Sequence, residues 1–255
     1  MRAGERIVGS AIVAIALWGI GCREIPAPEG GVAALSPVQL PSPGLVVGDT
    51  MRDSAGAIAP LQVIAYGLNG LPLTPQPPSS FVVLDTGAHM DGAFLVGDSA
   101  GPTVRVVGEV GALQTQFTSV PVTQSPDTLV PADSLVFHKT YSLISGDTAI
   151  ASPDLSVLVQ HLGTPVSGVR AVVVYYTIDS APTGHGQGPT ARVTNGVVQS
   201  NRDTTEATGR ASRTVRLRLA ALNTPAVDTV AVSATASYRG RVLGAVQFLV
   251  IYTKQ

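Results

Sequence analysis

From Leu45 onward, apolar side chains recur at every second position in short runs, and no window carries a sustained apolar stripe at the 3.6-residue period of a packed helix. That property restricts the chain to β-structure in which each strand buries one face. Thr214 to Leu219 reads TVRLRL and places Val215, Leu217 and Leu219 on one side. Val230, Val232, Ala234, Ala236 and Tyr238 form a second row, and Val246, Phe248, Val250 and Tyr252 a third. Leu155, Val157 and Val159 alternate in the same way before a Gly-Thr-Pro turn. The apolar run from Gly168 to Ile178 is predicted to follow as one long strand, with Val173 and Tyr175 in the core and Arg170 at the surface.

The first half repeats the pattern in shorter pieces. Leu61, Val63 and Ala65 alternate with Gln62, Ile64 and Tyr66, and Asn69-Gly70 is a turn dipeptide. Phe81 to Leu84, Phe94 to Val96, Val104 to Val107, Leu113 to Phe117 and Val120 to Thr123 follow, the third and fourth flanking a Gly108 to Gly111 turn. With 27 Gly and 19 Pro as punctuation, the expected fold is all-β: two tandem sandwiches of immunoglobulin-like size, at 45–126 and 127–255. Gly48-Asp49-Thr50 recurs as Gly146-Asp147-Thr148, a spacing that suits tandem domains.

The N-terminus differs. Arg2 and Arg6 precede the apolar run Ile7 to Ile20, which is too short to span a bilayer with normal flanks. Small residues then lead into Cys22, the chain's one cysteine. Gly21-Cys22 resembles the cleavage site of bacterial lipoprotein signals, although Gly19 stands where that family usually has an aliphatic residue. The resemblance implies a signal peptide at 1–21 and a lipidated Cys22 that anchors the chain to a membrane. Arg23 in place of an inner-membrane Asp implies sorting to the outer membrane of a bacterial cell envelope. Residues 22–44 are rich in Pro, Gly and Ala and are predicted to be a flexible tether. One cysteine forms no internal disulfide, so packing alone must hold the domains.

Two further resemblances concern the domains. The first half is similar to bacterial Ig-like repeats through Gly48-Asp49-Thr50, Gly70-Leu71-Pro72-Leu73 and Val120-Pro121-Val122. The second resembles the Ig-like repeats of invasin and intimin through Gly163-Thr164-Pro165-Val166-Ser167-Gly168-Val169, Thr208-Gly209-Arg210-Ala211 and Val230-Ala231-Val232-Ser233-Ala234. These imply a non-enzymatic spacer or adhesion module with a protein or glycan partner at the envelope.

Composition excludes other classes. A net charge of −1 argues against a nucleic-acid partner, and the arginines between Arg192 and Arg218 read as solvated strand faces. His89, His138, His161 and His185 have no metal-ligand spacing, there is no G-x-S-x-G elbow, and Asp85, Asp91 and Asp98 lack a calcium-loop pattern. No catalytic, cofactor or metal residues are therefore assigned. The polar excursion Asp179 to Gly209 is the predicted partner-binding loop, with His185, Arg202, Asp203 and Glu206 at its surface, and removal of 183–208 is expected to spare folding. The alternative is a carbohydrate-binding accessory module, which would need an exposed aromatic row drawn from Tyr175, Tyr176, Tyr238 and Tyr252.

Overall fold

The computed structural model describes residues 31–53, 55–141, 149–182, 190–218 and 227–254, and these form strands joined by turns with no α-helix. The first nine strands are β1 (Val32–Leu35), β2 (Leu45–Val46), β3 (Ala65–Gly67), β4 (Ser80–Val83), β5 (Ala88–Asp91), β6 (Phe94–Gly97), β7 (Thr103–Val110), β8 (Leu113–Gln114) and β9 (Thr118–Thr123). One sheet runs β2-β9-β7-β4, with β8 folded back on β7. The facing layer is two strand pairs, β1-β3 and β5-β6, bridged where the Leu61 amide donates to the Ala93 carbonyl at 2.9 Å. Between the layers lie Leu45, Met51, Leu95, Val104, Val106, Val120 and Val122, all fully buried.

The remaining strands build a second sandwich: β10 (Thr128–Pro131), β11 (Val136–Tyr141), β12 (Ala149–Ala151), β13 (Leu155–His161), β14 (Ser167–Gly168), β15 (Val173–Ser180), β16 (Ala191–Asn195), β17 (Val198–Gln199), β18 (Arg202–Thr204), β19 (Arg210–Arg218), β20 (Val227–Tyr238) and β21 (Arg241–Lys254). One sheet runs β10-β13-β19-β16-β17 and the other β11-β21-β20-β15-β18. The edge strand is thus shared: β10 belongs to one sheet, while β11 crosses over to lie parallel to β21. Sheets of order A-B-E-D and A′-G-F-C are the immunoglobulin-type arrangement. In the first sandwich β2 takes the same parallel place beside β9. The second core is built on Leu155, Tyr176, Leu217, Val232, Phe248 and Tyr252, and it shares no residue with the first.

The inward rows expected on β19, β20 and β21 are observed: Val215, Leu217, Val230, Val232, Ala234, Phe248, Val250 and Tyr252 are all fully buried. Leu219, Gly146-Asp147-Thr148, His185, Cys22 and the 1–21 segment lie outside the described residues.

The run 168–178 is not one strand. Gly168 ends β14 in the first sheet, Ala171 turns the backbone to a φ of +64°, and β15 starts at Val173 in the opposite sheet. Alternation restarts after the kink, so the core side chains are Val174 and Tyr176, while Tyr175 is 37% exposed. The tether also ends earlier than Gly44. Val32 to Leu35 pairs with β3, and Val32 and Val38 are buried in the first core. Prolines at 37, 41 and 43 bar a helix, yet the irregular segment between Pro37 and Pro41 still buries Val38.

Candidate functional site

The two sandwiches meet end to end across a joint, and the sequence around it explains why. Gly48 takes a φ of +69° after β2. Asp49 is thereby turned so that its carboxylate receives the Arg52 guanidinium through Nε at 2.8 Å and Nη2 at 3.0 Å. The Thr50 amide donates to the same group at 3.0 Å. From the second sandwich, the Tyr238 hydroxyl donates to Asp49 Oδ2 at 2.6 Å, and Arg239 Nε stands 3.9 Å away. Burial pulls the Asp49 carboxyl upward, but the bonds from Arg52 and Tyr238 outweigh it and leave the group below the usual carboxylate range. Burial, then the bond to Asp49, pushes the Tyr238 hydroxyl well above the ordinary phenol range.

Other contacts close the joint. Arg170, expected at a free surface, donates from Nη2 to Thr103 Oγ1 at 2.8 Å and thus reaches the start of β7. A Cβ on Gly44 would lie 2.5 Å from that of Ala171, and one on Gly56 would lie 2.8 Å from the Gly240 amide. Both glycines therefore mark close backbone approach. The connecting segment is pinned to the second sandwich: Asp127 Oδ2 accepts the Leu162 amide and lies 2.8 Å from His161 Nδ1, and Arg241 donates to the Pro126 carbonyl at 3.2 Å. The Leu162 amide is the main cause that holds the Asp127 carboxyl below its ordinary range.

Beside the joint lies a cleft of about 740 Å³, lined in part by Leu40, Pro43, Tyr175, Arg202, Asp203 and Tyr238. The structure brings two of the predicted loop residues here, Asp203 with its carboxylate already engaged and Arg202 with its side chain exposed. Asp203 Oδ1 pairs with Arg213 Nη1 at 3.0 Å, and its Oδ2 accepts the Ser212 amide at 2.8 Å. The Arg202 carbonyl accepts from Arg213 Nη2, while its side chain is exposed. Glu206 does not line the cleft. It closes an exposed turn, its carbonyl accepting the Gly209 amide at 2.9 Å and its Oε1 the Thr208 hydroxyl at 3.1 Å.

The predicted loop is therefore corrected: much of 179–209 is strand. Ala191 and Val193 of β16 are core residues, so deleting 183–208 would remove a wall of the second sandwich. The aromatic row required by a sugar-binding face is not formed. Tyr176 and Tyr252 are buried, Tyr238 is engaged by Asp49, and Tyr175 alone of the four is exposed. Among the described residues no three His, Cys, Asp or Glu side chains gather as a metal site. The joint itself had little signal in the sequence, because Asp49 and Tyr238 are 189 positions apart.

No family model matches the chain, and no curated protein matches it in sequence. Solved structures similar to it include the Yersinia pseudotuberculosis adhesin InvE, at 13% identity and a TM-score of 0.35 over 85% of this chain and 57% of that one. The S-layer protein rSbsC(31-844) is 15% identical with a TM-score of 0.30, covering 87% and 28%. Human protocadherin-24 EC1-2 is 12% identical with a TM-score of 0.28, covering 88% and 100%. The chain thus spans little more than half the length of the adhesin structure and about a quarter of the S-layer one. These are likenesses only; the sandwich assignment rests on the chain's own sheets.

Proposed function

We propose that the chain is a non-enzymatic spacer or adhesion element of a bacterial cell envelope, anchored by lipid at Cys22, with the first sandwich next to the membrane. The observation that supports this reading is the cross-joint bond from Tyr238 to Asp49, set in a polar cluster that ties the sandwiches end to end. The strand directions agree with it. Leu40 lines the cleft beside the joint, β1 runs toward it and β3 away from it, so the chain enters β1 at the pole of the first sandwich far from the joint. At the other end, β21 leaves the joint at Arg241 and runs 14 residues to Lys254, roughly 45 Å at the rise of a strand. A chain that enters at one pole and leaves at the other holds its ends apart.

Two measurements test the reading. Spin labels at Leu68→Cys and Thr253→Cys, in a Cys22→Ser background, should give one narrow distance distribution by double electron–electron resonance. A distribution as broad as that of two domains on a free linker would refute the spacer. Mass spectrometry of membrane-extracted protein should show acylated Cys22 as the first residue. An unmodified thiol, or a different mature N-terminus, would refute the anchor.

A further inference from the structure

The pole of the first sandwich at which Val32 enters carries two exposed leucines. Leu68 is 81% exposed and Leu71 63%. They sit on a built turn. The Gly70 amide donates to the Gly67 carbonyl at 2.9 Å, and the Gly67 amide to the Leu71 carbonyl at 3.0 Å. Gly70 has a φ of +74°, and Asn69 Oδ1 accepts the Leu71 amide at 3.0 Å. This is a three-residue hairpin loop with its left-handed position filled by glycine. Three hydrogen bonds fix the turn, and its two leucines project from it instead of filling a core.

The tip also points in a defined direction. β1 and β3 are antiparallel, with Val32 opposite Gly67. The chain continuing past Gly67 into Leu68 therefore projects toward the side from which residues before Val32 arrive. Cys22 precedes Val32 by ten residues, a reach of at most about 35 Å when fully extended. Any membrane attachment in the N-terminal segment, whether acylated Cys22 or the apolar run Ile7 to Ile20, thus keeps a bilayer within reach of Leu68 and Leu71.

We propose that the Gly67–Leu71 tip docks on a lipid surface, with Leu68 and Leu71 in the interface between headgroups and acyl chains, and so sets the angle at which the pair of sandwiches leaves the membrane. The proposal rests on the membrane-anchored reading above. Apolar side chains at the tip of a fixed turn enter that interface while the turn's remaining backbone groups stay among the hydrated headgroups.

The test uses features of the sequence. Residues 22–255 retain every residue of both cores, lack tryptophan because the one Trp is Trp18, and carry Cys22 as the one thiol. This protein is coupled through Cys22 to a maleimide lipid in phosphatidylcholine vesicles, so attachment does not depend on acylation in the cell. Leu68→Trp should show a blue-shifted emission and strong quenching by brominated lipid. Val197→Trp, on an equally exposed turn of the second sandwich, should show neither. Adding Leu71→Asp to Leu68→Trp should abolish the quenching. The proposal is overturned if both tryptophans are quenched alike, if neither is, if Leu71→Asp has no effect, or if the blue shift at position 68 arises without vesicles through contact with a second copy. Failure of Cys22 acylation in cells, with docking intact on these vesicles, would instead refute the anchor alone.

Discussion

Replacing Tyr238 by Phe removes one hydroxyl and leaves the rest of the joint in place, so its effect can be worked from the geometry. The bond lost is the 2.6 Å contact to Asp49 Oδ2. A hydrogen bond to a charged acceptor contributes about 1.5–3 kcal/mol when well enclosed. Tyr238 is only partly buried, which argues for about 1–2 kcal/mol, or a roughly 5–30-fold shift between docked and undocked sandwiches. Asp49 keeps Arg52 and Thr50 in this variant, so no charge is orphaned. Asp49→Asn costs more, since it also weakens the Arg52 pair inside the first sandwich. A double-mutant cycle over the two positions isolates the cross-joint part. The assay is the spread of inter-label distances described above, read together with amide exchange around Gly240. A coupling below about 0.5 kcal/mol, within the scatter of independent sites, would refute the assignment of this bond as the latch. The pH response follows from the same group. Asp49 is depressed in the docked state, so its contribution is complete above the unfolded carboxyl value of about 3.9 and is lost as pH falls through the lower docked value. Acid should therefore loosen the joint only below about pH 4, and Asp49→Asn should flatten that limb.

Gly56→Ala places a methyl group 2.8 Å from the Gly240 amide at a position whose φ is +86°, so the variant carries about 1–2 kcal/mol of backbone strain in the first sandwich besides the clash; it should broaden the distance distribution and lower the melting temperature of the first sandwich while that of the second stays unchanged. Alkali should act on one sandwich selectively. Burial pushes the hydroxyls of Tyr141, Tyr176 and Tyr252 upward, and all three belong to the second core. Their contribution is whole below the unfolded phenol value of about 10 and is lost as pH rises beyond it. Tyrosinate absorbance should then rise with unfolding of the second sandwich while the first still protects its amides, and simultaneous loss of both would contradict the assignment.

The parts legible in the sequence are those in which side-chain period and sheet environment agree over many residues. β19 alternates over its nine residues, and β20 and β21 keep one buried row through Val230–Ala236 and Val246–Tyr252, so these inward rows are legible in the sequence. The phase of β15 is not legible, because the Ala171 kink has no Gly or Pro to mark it and shifts the parity from Val173 and Tyr175 to Val174 and Tyr176. Composition misled at residues 32–40, where prolines suggested a free tether although Val32 and Val38 are core residues. The joint was the least legible part. Gly48-Asp49-Thr50 stands out in the sequence as a recurring triplet, but its partners Tyr238 and Arg239 come from a hairpin turn in the other sandwich. Of the predicted loop, Arg202 and Asp203 do reach the cleft beside that joint, through the pairing of β18 with β15. The Asp203 charge reads as available in the sequence because nothing there shows that Arg213 occupies it, whereas the Arg202 side chain is exposed as expected.

The parallel pairing of β11 with β21 bears on how this molecule responds to load. Six residues of β11, Val136 to Tyr141, run beside Leu249 to Lys254, and β20 flanks β21 from Val227 to Tyr238 on its other side. Tension applied through Lys254 acts along the axis of β21, so the ladders on both edges are sheared and many hydrogen bonds must fail together. A hairpin pulled open from its free end would yield one bond at a time. The first sandwich places β2 beside β9 in the same sense, although with only Leu45 and Val46 engaged. Stretched from its two poles, the chain should therefore yield first in the sandwich beside the N-terminal segment and last in the one that carries the C-terminal strand.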